Sequence, residues 1–308
     1  MNSGERYNHL NKFLKEKFGE RTLKICVDGG FTCPNRDGTL GYGGCIYCSE
    51  KGSGELINPI NSISEQVRYY FTTYKAKRAN KFIVYFQNFT NTYDSLDNLK
   101  AKYNAALIDD RIVGISIGTR PDCINEDIVK LLSSYSSKYY VCVELGLQTS
   151  SDKLGEILNR KYTSKQFTEA VQLLNKYSID VITHIMVGLP NETTEDIKNT
   201  VDFINKHNLQ GVKIHCTYIV KNTVLEYMYQ KGTYTPLKLE EYMEKLIYVI
   251  THLNPNFIIH RISGDAPKNI LVAPDWNIHK LWILNNIDKI LCEKDLWQGK
   301  FFSLTLHS

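Results

Sequence analysis

The chain has 308 residues, 43% hydrophobic and 23% charged, with a formal net charge of +4 and a pI near 8.4. That composition suits a soluble globular protein with a large core. The weak positive charge does not by itself indicate nucleic acid, and no segment approaches the ~20 apolar residues of a membrane span.

Residues 1–20 are polar and charged, without the apolar run of a signal peptide, so a cytoplasmic location is expected. Eight cysteines in such a chain suggest metal rather than disulfides. The triplets Asn88-Phe89-Thr90 and Asn191-Glu192-Thr193 are then chance matches to a glycosylation pattern. In chain order, a helix is expected over 7–18 and a strand over 23–27. Ile63, Val67, Tyr70, Phe71 and Tyr74 form the apolar stripe of a helix. Around it, Arg68, Lys75, Lys77, Arg78 and Lys81 are interleaved with Tyr69, Tyr70 and Tyr74, a mixture that suits phosphate contact and base stacking or an ordinary solvated helix face. Further strands are expected over 82–86, 112–117, 140–147, 180–187 and 211–219. Phe167, Val171 and Leu174 mark a second helical stripe, and Ile197, Val201 and Ile204 a third. The tail reads as a helix over 239–253, a strand over 257–262 and a helix over 275–292. Strands alternating with helices predict an α/β fold with a parallel sheet. Six such units make a partial TIM barrel, (β/α)6, with the N-terminal helix in residues 1–220 and a C-terminal α/β extension, 221–308, packed on it.

The most informative segment follows the first strand. It reads Thr32-Cys33-Pro34-Asn35-Arg36-Asp37-Gly38, then Gly43-Gly44-Cys45-Ile46-Tyr47-Cys48. Three thiolates without a fourth at ordinary spacing suit an iron–sulfur cluster that leaves one iron open. Open metal positions are catalytic and closed ones structural. Gly38, Gly41, Gly43, Gly44, Gly52 and Gly54 let the backbone wrap a bulky group. The other reading is a zinc site with Cys26 as fourth ligand, against which Cys26 is more simply a small core residue. Cys123, Cys142, Cys216 and Cys292 are scattered and read as structural, although Cys123 follows a strand end where it could face a pocket.

This loop resembles that of the radical S-adenosylmethionine (SAM) enzymes, and most of all a branch related to the Elongator catalytic subunit, the YhcC/YtqA type. Further matches are Tyr85-Phe86-Gln87-Asn88-Phe89-Thr90-Asn91-Thr92-Tyr93, Gly118-Thr119-Arg120-Pro121-Asp122, Val143-Glu144-Leu145-Gly146-Leu147-Gln148-Thr149, Asn159-Arg160, Gly188-Leu189-Pro190 and Arg261-Ile262-Ser263-Gly264-Asp265-Ala266-Pro267. They run in order along nearly the whole chain. The resemblance implies that Cys33, Cys45 and Cys48 hold one 4Fe–4S cluster whose free iron takes the amino and carboxylate groups of SAM. An electron from a flavodoxin- or ferredoxin-like donor would then release methionine and a 5′-deoxyadenosyl radical. It also implies cofactor contacts by Tyr47 near the adenine, Gln148 on the ribose and Arg160 on the methionine carboxylate, with Glu144 and His184 at further matching positions. Gln87 and Asn88 stand where the family has glycine-rich backbone near the methionine amino group, and Gly118 where the Elongator pattern has a glutamate. Glu144 has an alternative as a buried pair, for instance with Arg120, His184 as a core histidine and Tyr47 as a packing residue. Arg261, Asp265, Lys268, His279 and Lys280 are tail candidates for substrate or RNA contact, or members of an ordinary helix face and turn.

The activity implied is hydrogen abstraction from the C5 side chain of the tRNA wobble uridine, converting carboxymethylaminomethyl toward aminomethyl. At this length the additional acetyltransferase domain of the Elongator subunit is not expected. A radical SAM enzyme acting on a small molecule or tetrapyrrole is the second reading. A zinc-bound RNA-binding protein without catalysis is the third.

Overall fold

The computed structural model describes residues 5–52, 62–264 and 266–303; of the residues singled out above, Gly54, Asp265 and the Lys280 side chain lie outside the described set. Helix α1 (Leu10–Phe18) leads into β1 (Thr22–Val27). Then come α2 (Ile63–Thr72), β2 (Lys81–Phe86), α3 (Leu96–Ala106), β3 (Ile112–Thr119), α4 (Glu126–Tyr135), β4 (Tyr140–Gln148), α5 (Asp152–Ile157), α6 (Ser164–Lys176), β5 (Asp180–Val187), α7 (Thr194–Asn205) and β6 (Gly211–Cys216). These six strands pair side by side in chain order, all parallel, as successive right-handed crossovers place them.

Local chemistry explains the helices between them. Ser62 with Glu65, Thr163 with Gln166 and Thr193 with Asp196 form capping boxes at α2, α6 and α7. The apolar stripes of α6 and α7 are buried against the sheet, together with Ile63 and Val67 of α2. Tyr74 falls beyond the end of α2 and is exposed, so it does not extend that stripe.

The structure departs from expectation at the sixth unit. β6 stops at Cys216, where the Thr217 backbone and hydroxyl both donate to the Val187 carbonyl. Ile219–Val220 is a separate strand, β7. After α8 (Val224–Gln230) and α9 (Leu239–His252), the tail contributes β8 (Ile258–Arg261), which joins β6 in parallel as a seventh strand. β7 pairs antiparallel with β9 (Leu271–Ala273), and α10 (Lys280–Glu293) follows. The open barrel therefore has seven strands rather than six, and α1 reaches the last of them through a bridge from His9 to Ile259.

Because the strands are parallel, all their carboxyl ends lie at one end. The cysteine loop leaves the carboxyl end of β1, whereas Lys75, Lys77, Arg78 and Lys81 sit where the chain enters β2. The basic, tyrosine-rich segment thus lies at the opposite end of the barrel from the cysteines. Lys81 there donates to the Phe18 carbonyl and pairs with Glu20.

Phe167 is fully buried, with its ring 6.0 Å from Phe203 and 5.6 Å from His207. Phe167→Ala should cost about 3–5 kcal/mol of stability, read by denaturant unfolding. A cost under about 1 kcal/mol would show that α6 does not anchor the sheet as placed.

Candidate active site

The cysteine loop is held by side chains from distant parts of the chain. Asn35, fully buried, donates to the Asn159 carbonyl at 2.6 Å and reaches the Cys45 thiol at 3.8 Å. Asn159 donates in return to the Gly44 carbonyl at 2.8 Å. The Ile46 amide bonds Leu158 at 3.1 Å, and the Leu225 amide of α8 bonds Ile46 at 3.0 Å. Arg36 donates to the carbonyls of Cys48, at 3.0 Å, and Ser49. Gly44 has φ +81°, and a Cβ there would come within 2.8 Å of Arg36 Nε, so the loop needs glycine at this point.

The three thiols are electrostatic neighbours. Burial raises the pKa of Cys45 and Cys48, and each is raised further by the other thiols, with Cys48 pushed up to about 12. Thiols held protonated in this way need a positive centre to become thiolate ligands, so Cys45 and Cys48, with Cys33 beside them, fit a cationic cluster. Among the described residues, no three Cys, His, Asp or Glu side chains are placed to hold a single metal ion. Cys26 is no fourth ligand, nor is it a core residue as expected. It is exposed between the buried Ile25 and Val27, and the charges that reach it are Lys213, Arg261, Lys24 and Glu144, all outside the cysteine loop.

Arg120 is the residue that approaches the cysteines most directly from another strand. It pairs with both oxygens of Asp122, at 3.0 and 2.8 Å, and its Nη1 lies 3.9 Å from Cys33 Sγ. Its partner is therefore Asp122, not Glu144. Cys123 is half-buried beside this pair, and its thiol feels Asp122, Arg120 and Cys33. The hydroxyl of Tyr47 hydrogen-bonds the Cys45 thiol, while its ring packs in a small apolar cluster with Ile46 and Leu158. Asn88 is buried and donates to Asp28 at 2.8 Å, and its Oδ1 has no partner. The Gln87 amide bonds the Val27 carbonyl, linking the ends of β1 and β2.

Gln148 ends β4 with φ +60°, at a bulge in its pairing with β5. Its Oε1 accepts from the Tyr162 hydroxyl at 2.5 Å. Gly146 makes room for this pair, since a Cβ there would lie 2.8 Å from Gln148 Nε2 and 3.0 Å from Tyr162 Oη. Arg160 has a different task from the one the resemblance implies. It is fully buried, donating to the carbonyls of Tyr162, Leu147 and Thr149 at 2.5–2.9 Å and pairing with Asp152 at 2.7 Å. Its guanidinium ties the exit of β4 to α5 and is not presented to a cofactor carboxylate.

Glu144 is wholly buried and forms the centre of a charged network inside the barrel. It accepts from Lys24 Nζ at 2.6 Å, Ser116 Oγ at 2.8 Å, His184 Nε2 at 2.9 Å and Lys213 Nζ. Burial opposes its charge, but Lys213, Lys24 and the His184 bond outweigh burial and hold the carboxyl well below its usual range. Burial pushes His184 down to about 4, so a neutral ring donates to an ionised carboxylate. The alternative of a buried pair thus describes Glu144, with Lys24 and Lys213 as partners. Sequence reasoning missed both lysines, because each reads as an isolated charge within an apolar strand. Of the tail candidates, Arg261 stands across from Lys213 in the sheet, whereas Lys268 and His279 are exposed.

Arg160→Lys should lower stability by about 1–3 kcal/mol, because one ammonium cannot satisfy three carbonyls and Asp152 together. SAM affinity should stay within about twofold, a shift of less than 1 kcal/mol. Denaturation and equilibrium binding read the two separately, and a tenfold loss of SAM affinity at unchanged stability would restore the cofactor role.

Residues 33–204 match the Radical SAM superfamily and 209–293 the Radical_SAM C-terminal domain. The chain is 37% identical to the uncharacterized protein YtqA of Bacillus subtilis, over 98% of this chain and 94% of that one. It is 31% identical to a tRNA uridine(34) acetyltransferase of Dehalococcoides mccartyi, over 53% of this chain and 36% of that one. Among solved structures, the Elp3 of the archaeon Methanocaldococcus infernus, with its N-terminus deleted, overlays with a TM-score of 0.68 at 19% identity, covering 90% of this chain and 64% of that one. At that identity the overlay shows the shared fold alone. This family uses a 4Fe–4S cluster and SAM, and the chain belongs to the radical SAM superfamily.

Proposed function

We propose that this protein acts on the C5 side chain of the wobble uridine of tRNA, converting carboxymethylaminomethyl to aminomethyl. The observation that carries the reading is the similarity over half of the chain to an enzyme named for tRNA uridine 34, together with the Elp3-like fold. Bound in the loop, the cluster and SAM supply a hydrogen-abstracting radical and take up the two electrons that oxidation of the carboxymethyl carbon releases. Water then splits the substrate imine into the aminomethyl product and a two-carbon aldehyde acid.

The chain's own residues have the following parts. Cys33, Cys45 and Cys48 hold the cluster. Tyr47, Gln87, Asn88 and Gln148 line the strand ends where SAM would lie. Asn35, Arg36 and Asn159 keep the loop in one conformation, which restricts a reactive species to one C–H bond. Arg120 places a positive charge beside Cys33, which favours a reduced, more negative cluster. The electron comes from a flavodoxin- or ferredoxin-like partner. A cytoplasmic location suits a tRNA substrate, and among the described residues no helix is long and apolar enough to cross a membrane.

The test is mass spectrometry of tRNA nucleosides from cells lacking the gene. Carboxymethylaminomethyluridine should accumulate and products built on aminomethyluridine should disappear. The wild-type gene should restore them, and a Cys45→Ser copy should not. An unchanged profile under conditions of expression would sink the tRNA reading and favour a small-molecule or tetrapyrrole substrate.

A further inference from the structure

Each of the seven strands turns at least one polar side chain into the barrel: Lys24 and Cys26, Tyr85, Ser116, Glu144, His184, Lys213 and His215, and Arg261. They face one another across the interior. The Lys24 and Lys213 ammonium groups lie 5.2 and 4.3 Å from the centre of the Tyr85 ring, and the His184 and His215 rings are 5.1 Å apart. This interior is a lumen reached by water, since Cys26 is exposed although the charges around it belong to β1, β4, β6 and β8.

The lumen carries a surplus of positive charge. Among the described residues, the two ammonium groups of Lys24 and Lys213 share the one carboxylate of Glu144, which is already saturated by four donors. Burial, with the repulsion of Lys24 and Arg261, pushes the Lys213 ammonium down to about 8 against the pull of Glu144. His215 meets the same repulsion from Arg261 and Lys213, and its Nε2 is buried without a partner. The neutral ring can offer this unpartnered nitrogen to an anion as an N–H donor, and the surrounding positive field favours an anion there. Lys24, Glu144 and Lys213 lie within their strands, whereas His215 is one residue from the carboxyl end of β6 and Arg261 is the last residue of β8.

We propose that the lumen binds the carboxylate of the substrate's carboxymethyl group, with Lys213 and His215 as its direct contacts and Arg261 beside them; this rests on the wobble-uridine reading above. The carboxylate is the feature that separates substrate from product. Its capture by Lys213 and His215 draws the adjoining CH2 below the cysteine loop, and the product, without a carboxylate, leaves.

The test uses the cluster-loaded protein and two anticodon stem-loops, one carrying carboxymethylaminomethyluridine and one aminomethyluridine, with binding read by fluorescence anisotropy. Wild type should favour the first RNA by about tenfold or more, the worth of one charge-assisted bond. In His215→Gln and Lys213→Gln the ratio should fall toward one. His215→Gln removes no hydrogen bond of the fold, and a ratio between two RNAs is not lowered merely by a smaller folded fraction. Equal affinity of wild type for the two RNAs overturns the lumen proposal and leaves tRNA binding standing. If neither RNA binds, the tRNA reading falls, and N-methylglycine against methylamine is compared by thermal shift. Stabilisation by N-methylglycine alone, lost in His215→Gln, then supports the lumen as a carboxylate site, and its absence overturns that too.

Discussion

The architecture depends on how one buried carboxylate is compensated. Glu144 lies at the centre of an open barrel whose first and last strands do not meet, and its partners come from β1, β3, β5 and β6. Two ammonium groups and a neutral imidazole repay its desolvation. Removing any one of them alters the charge of all the others, as expected for a coupled buried network. The hydrogen bonds of the sheet fix only neighbouring strands. Glu144 fixes the distance across the barrel, and with it the width of the lumen beneath the cysteines.

The second constraint acts at the rim. A long loop rich in glycine pays a high conformational entropy when it is held still. Here the order comes from residues that do no chemistry. Asn35 and Asn159 exchange side-chain bonds between the loop and the turn after α5, and α8 supports Ile46 from the other side. Arg160, one residue on, is fixed beneath the same turn. The Asn159-Arg160 pair therefore holds the loop with its first member and the β4 exit with its second.

The strands and helices were legible because hydrophobic period and turn residues express local rules, and the first five strands match expectation to within two residues. The sixth ended early because its neighbour β5 ends at Val187, where Gly188 turns at φ +88°, so pairing stops at Cys216. The seventh strand was seen as a strand, but nothing local indicates its neighbour. Within the site, the cysteine triad was plain from spacing. The roles of Glu144, Arg120 and Arg160 were not, since a charged residue's partner depends on which strands face each other. Cys26 shows the same limit. Flanked by Ile25 and Val27 it reads as core, but alternation places it on the opposite face from both, toward a lumen that only the closed arrangement of strands creates.

Barrel interiors of this family of shapes are ordinarily packed with branched aliphatic side chains. Filling this one with Lys24, Glu144, His184, Lys213 and His215 is the costlier solution, because buried ion pairs recover at best part of their desolvation and well-packed apolar replacements are often as stable or more so. Stability therefore does not account for the network. Gly118 and Gly146 point the same way. They occupy inward positions directly above Ser116 and Glu144 in β3 and β4, where any larger residue would narrow the passage from the rim to the charged floor. A passage kept clear by glycine, ending on fixed positive charge, is what a radical enzyme needs if its substrate is to be held by a charged group while the C–H bond beside that group stays next to the cofactor.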